Sequence, residues 1–323
     1  MRPLLLCWAL LLPLAGLLQP HSSALTLGVL RRDALIVPMA AYDGREWKNF
    51  WPTAGEGGDV PVNLRSVPAN WWGPAGPRET WQVWTPAPSP QLVTVRQPDW
   101  APTFCQKQIG LRTDYQPRVW PPKPDTSPFP KDGLAVSPPH AIEPIDVVSP
   151  GSNEADDVLE AIHTPFADRE QVALTNLRPA HIYNPERFPE TPDEGVLRAT
   201  PSMAIEALYA YGATHRTYFV EAVREYRQKG ACMATGFSTG WVHRDSGKFT
   251  VQPGPFVLDF CDRRNISYML PLGVLPLPTG TFWIAQISSW YGEAYTVQDI
   301  SADQKKTDPR PALITRGGTC LTN

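Results

Sequence analysis

The chain reads as mainly β, with antiparallel, hairpin-rich sheets of sandwich or barrel type and long proline-rich irregular connections. Three observations carry that reading. Proline occurs 37 times in 323 residues, over twice its usual share, and it fits neither helix interiors nor central strands. Turn signals such as Asp43-Gly44 and Asp245-Ser246-Gly247 separate apolar or alternating runs, which is the pattern of a β-hairpin. Strands alternating with long amphipathic helices are missing from the pattern, which disfavours a doubly wound α/β fold.

Residues 1–24 have the form of a secretory signal peptide. Arg2 supplies a positive start, Leu4 to Leu18 an apolar run, and Ser22-Ser23-Ala24 the small residues of a cleavage site. The run is shorter than the ~20 residues that cross a bilayer, so no membrane span is expected in the mature chain. Secretion permits disulfides. Cys7 leaves with the leader, and Cys105, Cys232, Cys261 and Cys320 remain. An even count in a secreted chain predicts two bridges. Three connectivities are open, and Cys232–Cys261 with Cys105–Cys320 is the assignment preferred. Their separations of 127, 29 and 59 residues match no zinc pattern, which requires close Cys pairs.

The mature chain divides at its proline content. Residues 25–115 form a Trp- and Pro-rich β module. Ala34 to Tyr42 and Arg45 to Trp51 flank Asp43-Gly44 as a hairpin, Pro38 places its strand at an edge or a bulge, and Trp81–Trp84 and Leu92–Arg96 read as short strands. Residues 116–150 hold ten prolines and read as a polyproline strap. In 151–198 a short helix runs from Asn153, its cap, to about His163, with acidic residues in the first turn, followed by irregular chain. Residues 199–323 form a second antiparallel module. Thr217–Tyr226 reads as a strand, Trp241–Arg244 and Lys248–Val251 as a hairpin, and Phe282–Ser289 with Ala294–Ile300 as another around Trp290 to Glu293. In that last hairpin Trp283, Ala285 and Ile287 share a face, and Tyr295 and Val297 are expected on the same face across the ladder. Met203–Tyr211 fits strand or helix.

Little in the chain points to chemistry. Gly236-Phe237-Ser238-Thr239-Gly240 matches a nucleophile elbow, but it precedes strand-like residues, and the only later histidine is His243, five residues on with no intervening acid. Glu221 and Glu225 on one strand face would stand roughly 13 Å apart, too far for a glycosidase pair. Asp259, Asp262 and Asn265 could offer oxygens to calcium, but the spacing is not that of an EF-hand, and a turn held by Asp–Arg pairs is the simpler reading. The remaining histidines show no ligand spacing. No motif calls for a cofactor or a metal. Asn265-Ile266-Ser267 is the lone N-glycosylation sequon.

Tryptophan is the remaining signal. Eight lie between Trp47 and Trp120, and Trp71, Trp72, Trp81 and Trp84 are the candidate ligand-binding residues, able as exposed rings to stack on sugars or as buried rings to form a core. The formal charge of −3 disfavours nucleic acid, whose phosphates require a basic surface. The function expected is that of a secreted, extracytoplasmic binding or structural protein without catalysis, with polysaccharide as the favoured partner. A secreted hydrolase acting on glycans through paired carboxylates, and a subunit of an envelope assembly, are the alternatives. Secreted material is expected to begin at Leu25, because Ser22 and Ala24 fit the cleavage pocket. Intact-mass measurement checks this, and a full-length species extracted from membranes would refute it.

Overall fold

The computed structural model describes residues 25–49, 80–85, 90–103, 106–116, 133–176, 201–301 and 311–319. Among these, strands dominate and every pairing is antiparallel, as the turn signals and alternation require. The leader, Trp71, Trp72, Cys105 and Cys320 lie outside the described residues.

The first seven strands are β1 (Leu25–Leu30), β2 (Leu35–Tyr42), β3 (Trp47–Lys48), β4 (Thr80–Trp84), β5 (Gln91–Thr103), β6 (Gln106–Thr113) and β7 (Gly133–Ser137). Their order is β1-β7-β4-β5-β6-β2-β3, and β1 also pairs with β2, so six of them close into a barrel. Inward-facing Leu30, Ile36, Trp81, Val83, Val93, Val95, Ile109, Leu111 and Ala135 fill it. Closure abolishes free edges. Pro38 is therefore not on an edge. It sits at a bulge, where the register slips from Leu27↔Ala40 to Gly28↔Pro38. The Gly133–Ser137 stretch, expected to belong to a surface strap, is instead a fully buried barrel strand. Its Gly-Leu-Ala-Val-Ser sequence carries no proline and pairs with β1 and β4. Residues 138–145 are held to the middle sheet: Glu143 exchanges two backbone hydrogen bonds with Val274 at 2.8 and 2.9 Å, and the ring Nε2 of His140 lies 3.0 Å from the carbonyl of Pro276.

After this stretch come β8 (Asp146–Val147), α1 (Asn153–Asn176), β9 (Ala204–Tyr211), β10 (His215–Gln228), β11 (Ala231–Asp245) and β12 (Lys248–Asp259). These five strands form an outer sheet in the order β12-β11-β10-β9-β8, and the ambiguous 203–211 stretch is a strand. The helix is longer than its sequence predicts. Its cap is Ser152, whose Oγ accepts from the Ala155 N–H at 3.2 Å, one residue before Asn153. It passes through Pro165, which removes one helical hydrogen bond, and continues to Asn176. Tertiary contact overrides that break, because Ala155, Val158, Ile162 and Phe166 are all buried along one stripe against the outer sheet.

The last four strands, β13 (Ser267–Leu277), β14 (Gly280–Ser289), β15 (Gly292–Asp299) and β16 (Leu313–Thr319), form a middle sheet in chain order. It is apolar on both faces. Leu272, Leu275, Phe282, Ile284, Tyr295 and Val297 pack on the barrel's Leu25, Leu27, Val29, Leu134 and Val136. Met269, Val274, Trp283 and Ala285 pack on Ala207, Tyr209 and Phe219 of the outer sheet. The layers thus run barrel, middle sheet, outer sheet, helix. This packing corrects the expected hairpin register. Ile284 pairs with Val297 and Gln286 with Tyr295, so Tyr295 and Val297 lie on the opposite face from Trp283, Ala285 and Ile287. The Ser289 hydroxyl bonds both the N–H and the carbonyl of Gly292 at 3.1 Å and closes a loop two residues shorter than a Trp290-to-Glu293 connection. A change of two residues keeps the faces, so with either loop Tyr295 and Val297 stand opposite even-numbered residues of β14.

Barrel closure places one test on a single residue. A Cβ on Gly28 would stand 2.5 Å from Ile36 Cγ2 and 3.2 Å from the Val37 carbonyl oxygen. Gly28→Ala is expected to destabilise the protein by about 1–3 kcal/mol, read as a lower urea midpoint; an unchanged midpoint would show that the β1–β2 seam is not tightly packed.

Candidate functional site

Three polar constellations stand out against this apolar stack. The first lies between α1 and the outer sheet. Even-numbered residues of β10 face the helix, and there Arg224 Nη1 meets Glu170 Oε2 at 2.9 Å with both side chains buried. The Tyr226 hydroxyl donates to the same carboxylate, and burial, then Glu170, hold that phenol in its neutral form. Ser238 of the elbow-like motif lines the adjoining void, which measures about 10 Å³ and has room for little more than one water. His243 lies five residues along the same strand, so its ring points to the other face, where Nδ1 lies 3.1 Å from Thr217 Oγ1. Burial lowers its pKa, against a hydrogen bond with Gln252 that raises it. Ser238 and His243 therefore cannot act together, and the glycine-flanked serine is a mid-strand residue.

The second constellation is on the opposite face of β10, under the middle sheet. Glu221 is only 1% exposed, and its Oε1 accepts from the Met269 N–H at 2.6 Å. Burial raises its pKa to about 8, against that hydrogen bond and with help from the charge of Glu206. Arg263 neutralises the neighbouring acids, reaching Glu206 at 2.5 Å and Glu225 at 3.5 Å. Arg263 is carried by the 260–266 turn, which is tied at Cys261 to Cys232 by a disulfide with a Cα separation of 6.1 Å. That bridge is one of the two expected. In the same turn Asp259 accepts from both the backbone N–H and the side-chain amide of Asn265 at 2.8 Å, while Asp262 pairs with Arg264 at 3.1 Å. Asp259 and Asn265 thus satisfy one another, and their oxygens and hydrogens hold a turn.

The third is a cleft of about 310 Å³ where the β2–β3 hairpin of the barrel meets the middle sheet. Beneath it lies a buried cluster of three rings, none more than 7% exposed: Tyr42 and Trp47 with centroids 4.9 Å apart, and Phe282 at 5.3 Å from Trp47. The Tyr42 hydroxyl donates to Thr279 Oγ1 at 2.6 Å. Arg45, Glu46 and Asp299 line the rim. The hairpin loop is ordered by Asp43, whose Oδ1 accepts from the N–H groups of Arg45 and Glu46 at 2.9 and 3.0 Å. Lys48 Nζ joins Asp43 at 2.8 Å and Glu46 at 2.7 Å and leads the contacts that hold the Asp43 carboxyl below its ordinary range. This is a four-residue loop closed by Tyr42↔Trp47, longer than the two-residue turn that Asp43-Gly44 predicts. The cleft's volume falls at the lower end of ligand pockets.

The candidate tryptophans fare differently. Trp81 is a correction: it is fully buried inside the barrel, because it points inward with Val83, and it offers no stacking surface. Trp84, on the outward face of the same strand, packs half-buried against the core shared with the middle sheet. Neither lines the cleft. Trp47 was legible as one of the N-terminal tryptophans, but Phe282 is over 200 residues away in sequence, and only the docking of the middle sheet brings them together. No protein-family model matches the chain, and no curated protein or solved structure matches it significantly. Its chemistry rests on its own residues.

Glu221 makes stability depend on pH in a definite direction. Its proton leaves near 4.5 in the unfolded chain and near 8 in the folded one. Between those values the folded state holds more protons, so stability falls as pH rises and levels off above about 8. The loss is on the order of 3–5 kcal/mol. Glu221→Gln should remove that slope, leaving the variant close to wild type near pH 4.5 and more stable above pH 8. Urea midpoints across this range decide it, and parallel profiles for the two proteins would refute the assignment.

Proposed function

We propose that this is an extracytoplasmic binding protein that holds a segment of polysaccharide in the cleft over Tyr42, Trp47 and Phe282. The single observation that supports this most is the cleft's composition: Arg45, Glu46, Thr279 and Asp299 bring guanidinium, carboxylate and hydroxyl groups together over three largely buried rings. The belt of hydroxyls on a sugar suits those polar groups. The disulfide supports passage through an oxidising compartment, and among the described residues no helix is long and apolar enough to cross a membrane.

Binding is favoured over hydrolysis by the state of the acids. Glu221 is sealed beneath the middle sheet, Glu170 is committed to Arg224 and Tyr226, and Glu206 and Glu225 share Arg263. Each carries a fold contact. Among the described residues, Glu46 and Asp299 are the acids that line the cleft.

Affinity electrophoresis through a panel of soluble glycans tests the proposal. Arg45 is exposed, so Arg45→Ala should leave folding intact and weaken retention about tenfold, the worth of one hydrogen bond from a charged group. A Trp71→Ala, Trp72→Ala double variant provides the contrast. If it alone abolishes retention while Arg45→Ala does not, the ligand sits on that tryptophan pair and the cleft assignment falls. Release of reducing ends that stops in Glu46→Gln would replace binding with hydrolysis.

A further inference from the structure

The 260–266 turn carries a site that the cleft does not use. It consists of two successive tight turns, closed by hydrogen bonds from Arg263 N–H to the Phe260 carbonyl at 2.9 Å and from Ile266 N–H to the Arg263 carbonyl at 3.2 Å. Asn265 stands in the second, exposed to solvent. Ile266, only 1% exposed, anchors the chain inward. Ser267, at the start of β13, is exposed again. Asn265 and Ser267 are thus both exposed, on either side of buried Ile266.

We propose that Asn265 is a site of N-linked glycosylation, with Asp259 as the group that orients its amide. The inference rests on the extracytoplasmic reading, since the reaction needs a lumenal oligosaccharide donor. The disulfide four residues from Asn265 is an independent sign of such a compartment. In the reaction, Asn265 Nδ2 attacks the anomeric carbon of a polyprenyl-pyrophosphate-linked oligosaccharide. The Nδ2–C1 bond forms, the bond from C1 to the pyrophosphate oxygen breaks, the lipid pyrophosphate leaves, and Nδ2 gives up one proton to solvent base.

The geometry tolerates that loss. Asn265 Nδ2 donates one hydrogen bond, to Asp259 Oδ1 at 2.8 Å, and the amide has two hydrogens to give. The glycosylated nitrogen keeps one of them, so the bond to Asp259 survives. The backbone N–H of Asn265 meanwhile donates to Asp259 Oδ2 at 2.8 Å and fixes the turn regardless of what the side chain carries. Asp259 is itself buried, whereas Asn265 is an exposed residue.

The experiment expresses the full chain in a eukaryotic secretory host and compares the secreted protein with and without peptide-N-glycosidase. The expected result is a mobility shift on treatment and conversion of Asn265 to Asp in the mapped peptide. Ser267→Ala should abolish the shift while leaving the Asn265–Asp259 bonds untouched, so its loss cannot be blamed on misfolding of the turn. Asn265→Gln should do the same. Secreted protein with no shift, or a shift that persists in Ser267→Ala, overturns the site while leaving secretion standing. Protein kept in the cytosol with its leader attached overturns the extracytoplasmic reading and the site with it.

Discussion

The middle sheet is apolar on both faces, and the rest of the structure depends on that. In β14 the run Phe282-Trp283-Ile284-Ala285-Gln286 is buried without interruption, which leaves no face for water. Phe282 and Ile284 require the barrel, and Trp283 and Ala285 require the outer sheet. Fully burying side chains of this size is worth roughly 1.5–3 kcal/mol each, so docking on both sides is strongly driven. The outer sheet is in turn apolar toward α1, and the helix, exposed on its far side, ends the stack. Cross-layer hydrogen bonds then set the alignment: Thr315 Oγ1 donates to the Met39 carbonyl at 3.0 Å, and Tyr42 reaches Thr279.

Such a stack has to dispose of polar groups that strands inevitably carry inward, and it does so in different ways on each side of β10. Toward the helix, charge is kept and paired, as Arg224 with Glu170. Toward the middle sheet the charge is given up, as burial holds Glu221 protonated near neutral pH. A buried ion pair adds little net stability but is costly to break, so Glu170 and Arg224 hold the helix in one position on the sheet. The same pair explains why α1 outlasts Pro165: Glu170 lies beyond the proline and is anchored by two side chains of the outer sheet.

The two proposed sites lie where layers meet rather than within them. The cleft lies at the rim between the barrel hairpin and the middle sheet, where rings from two layers touch and the loop ordered by Asp43 brings charged residues over them. The 260–266 turn lies where the outer sheet gives way to the middle sheet, and it carries the disulfide, the Arg263 ion pairs and the sequon within seven residues. Both places lie at the boundaries between layers.

Much of the local structure was legible in the residues. Apolar runs around Asp43-Gly44, around Ser246-Gly247 and on either side of Trp290 announce hairpins because strand alternation and turn chemistry act over a few residues. Pro38 announced an edge or a bulge because it lacks an N–H. Parity and secretory context announced two bridges, with Cys232–Cys261 in the preferred one of three connectivities. Other features depend on partners distant in sequence. Whether Trp81 is a stacking platform or a core residue depends on barrel closure by β1 and β2. Whether the helix stops at His163 depends on the sheet beneath Phe166 and Glu170. Which residues Tyr295 and Val297 meet across the ladder depends on the two-residue loop that Ser289 closes. By itself, the sequence determined the strand-forming segments, their turns and the predominance of β structure, because these follow from propensities and periodicities along the chain. The order of the layers, the neutral Glu221 and the meeting of Trp47 with Phe282 were decided only by tertiary structure, because burial and electrostatic environment are properties of which surfaces dock.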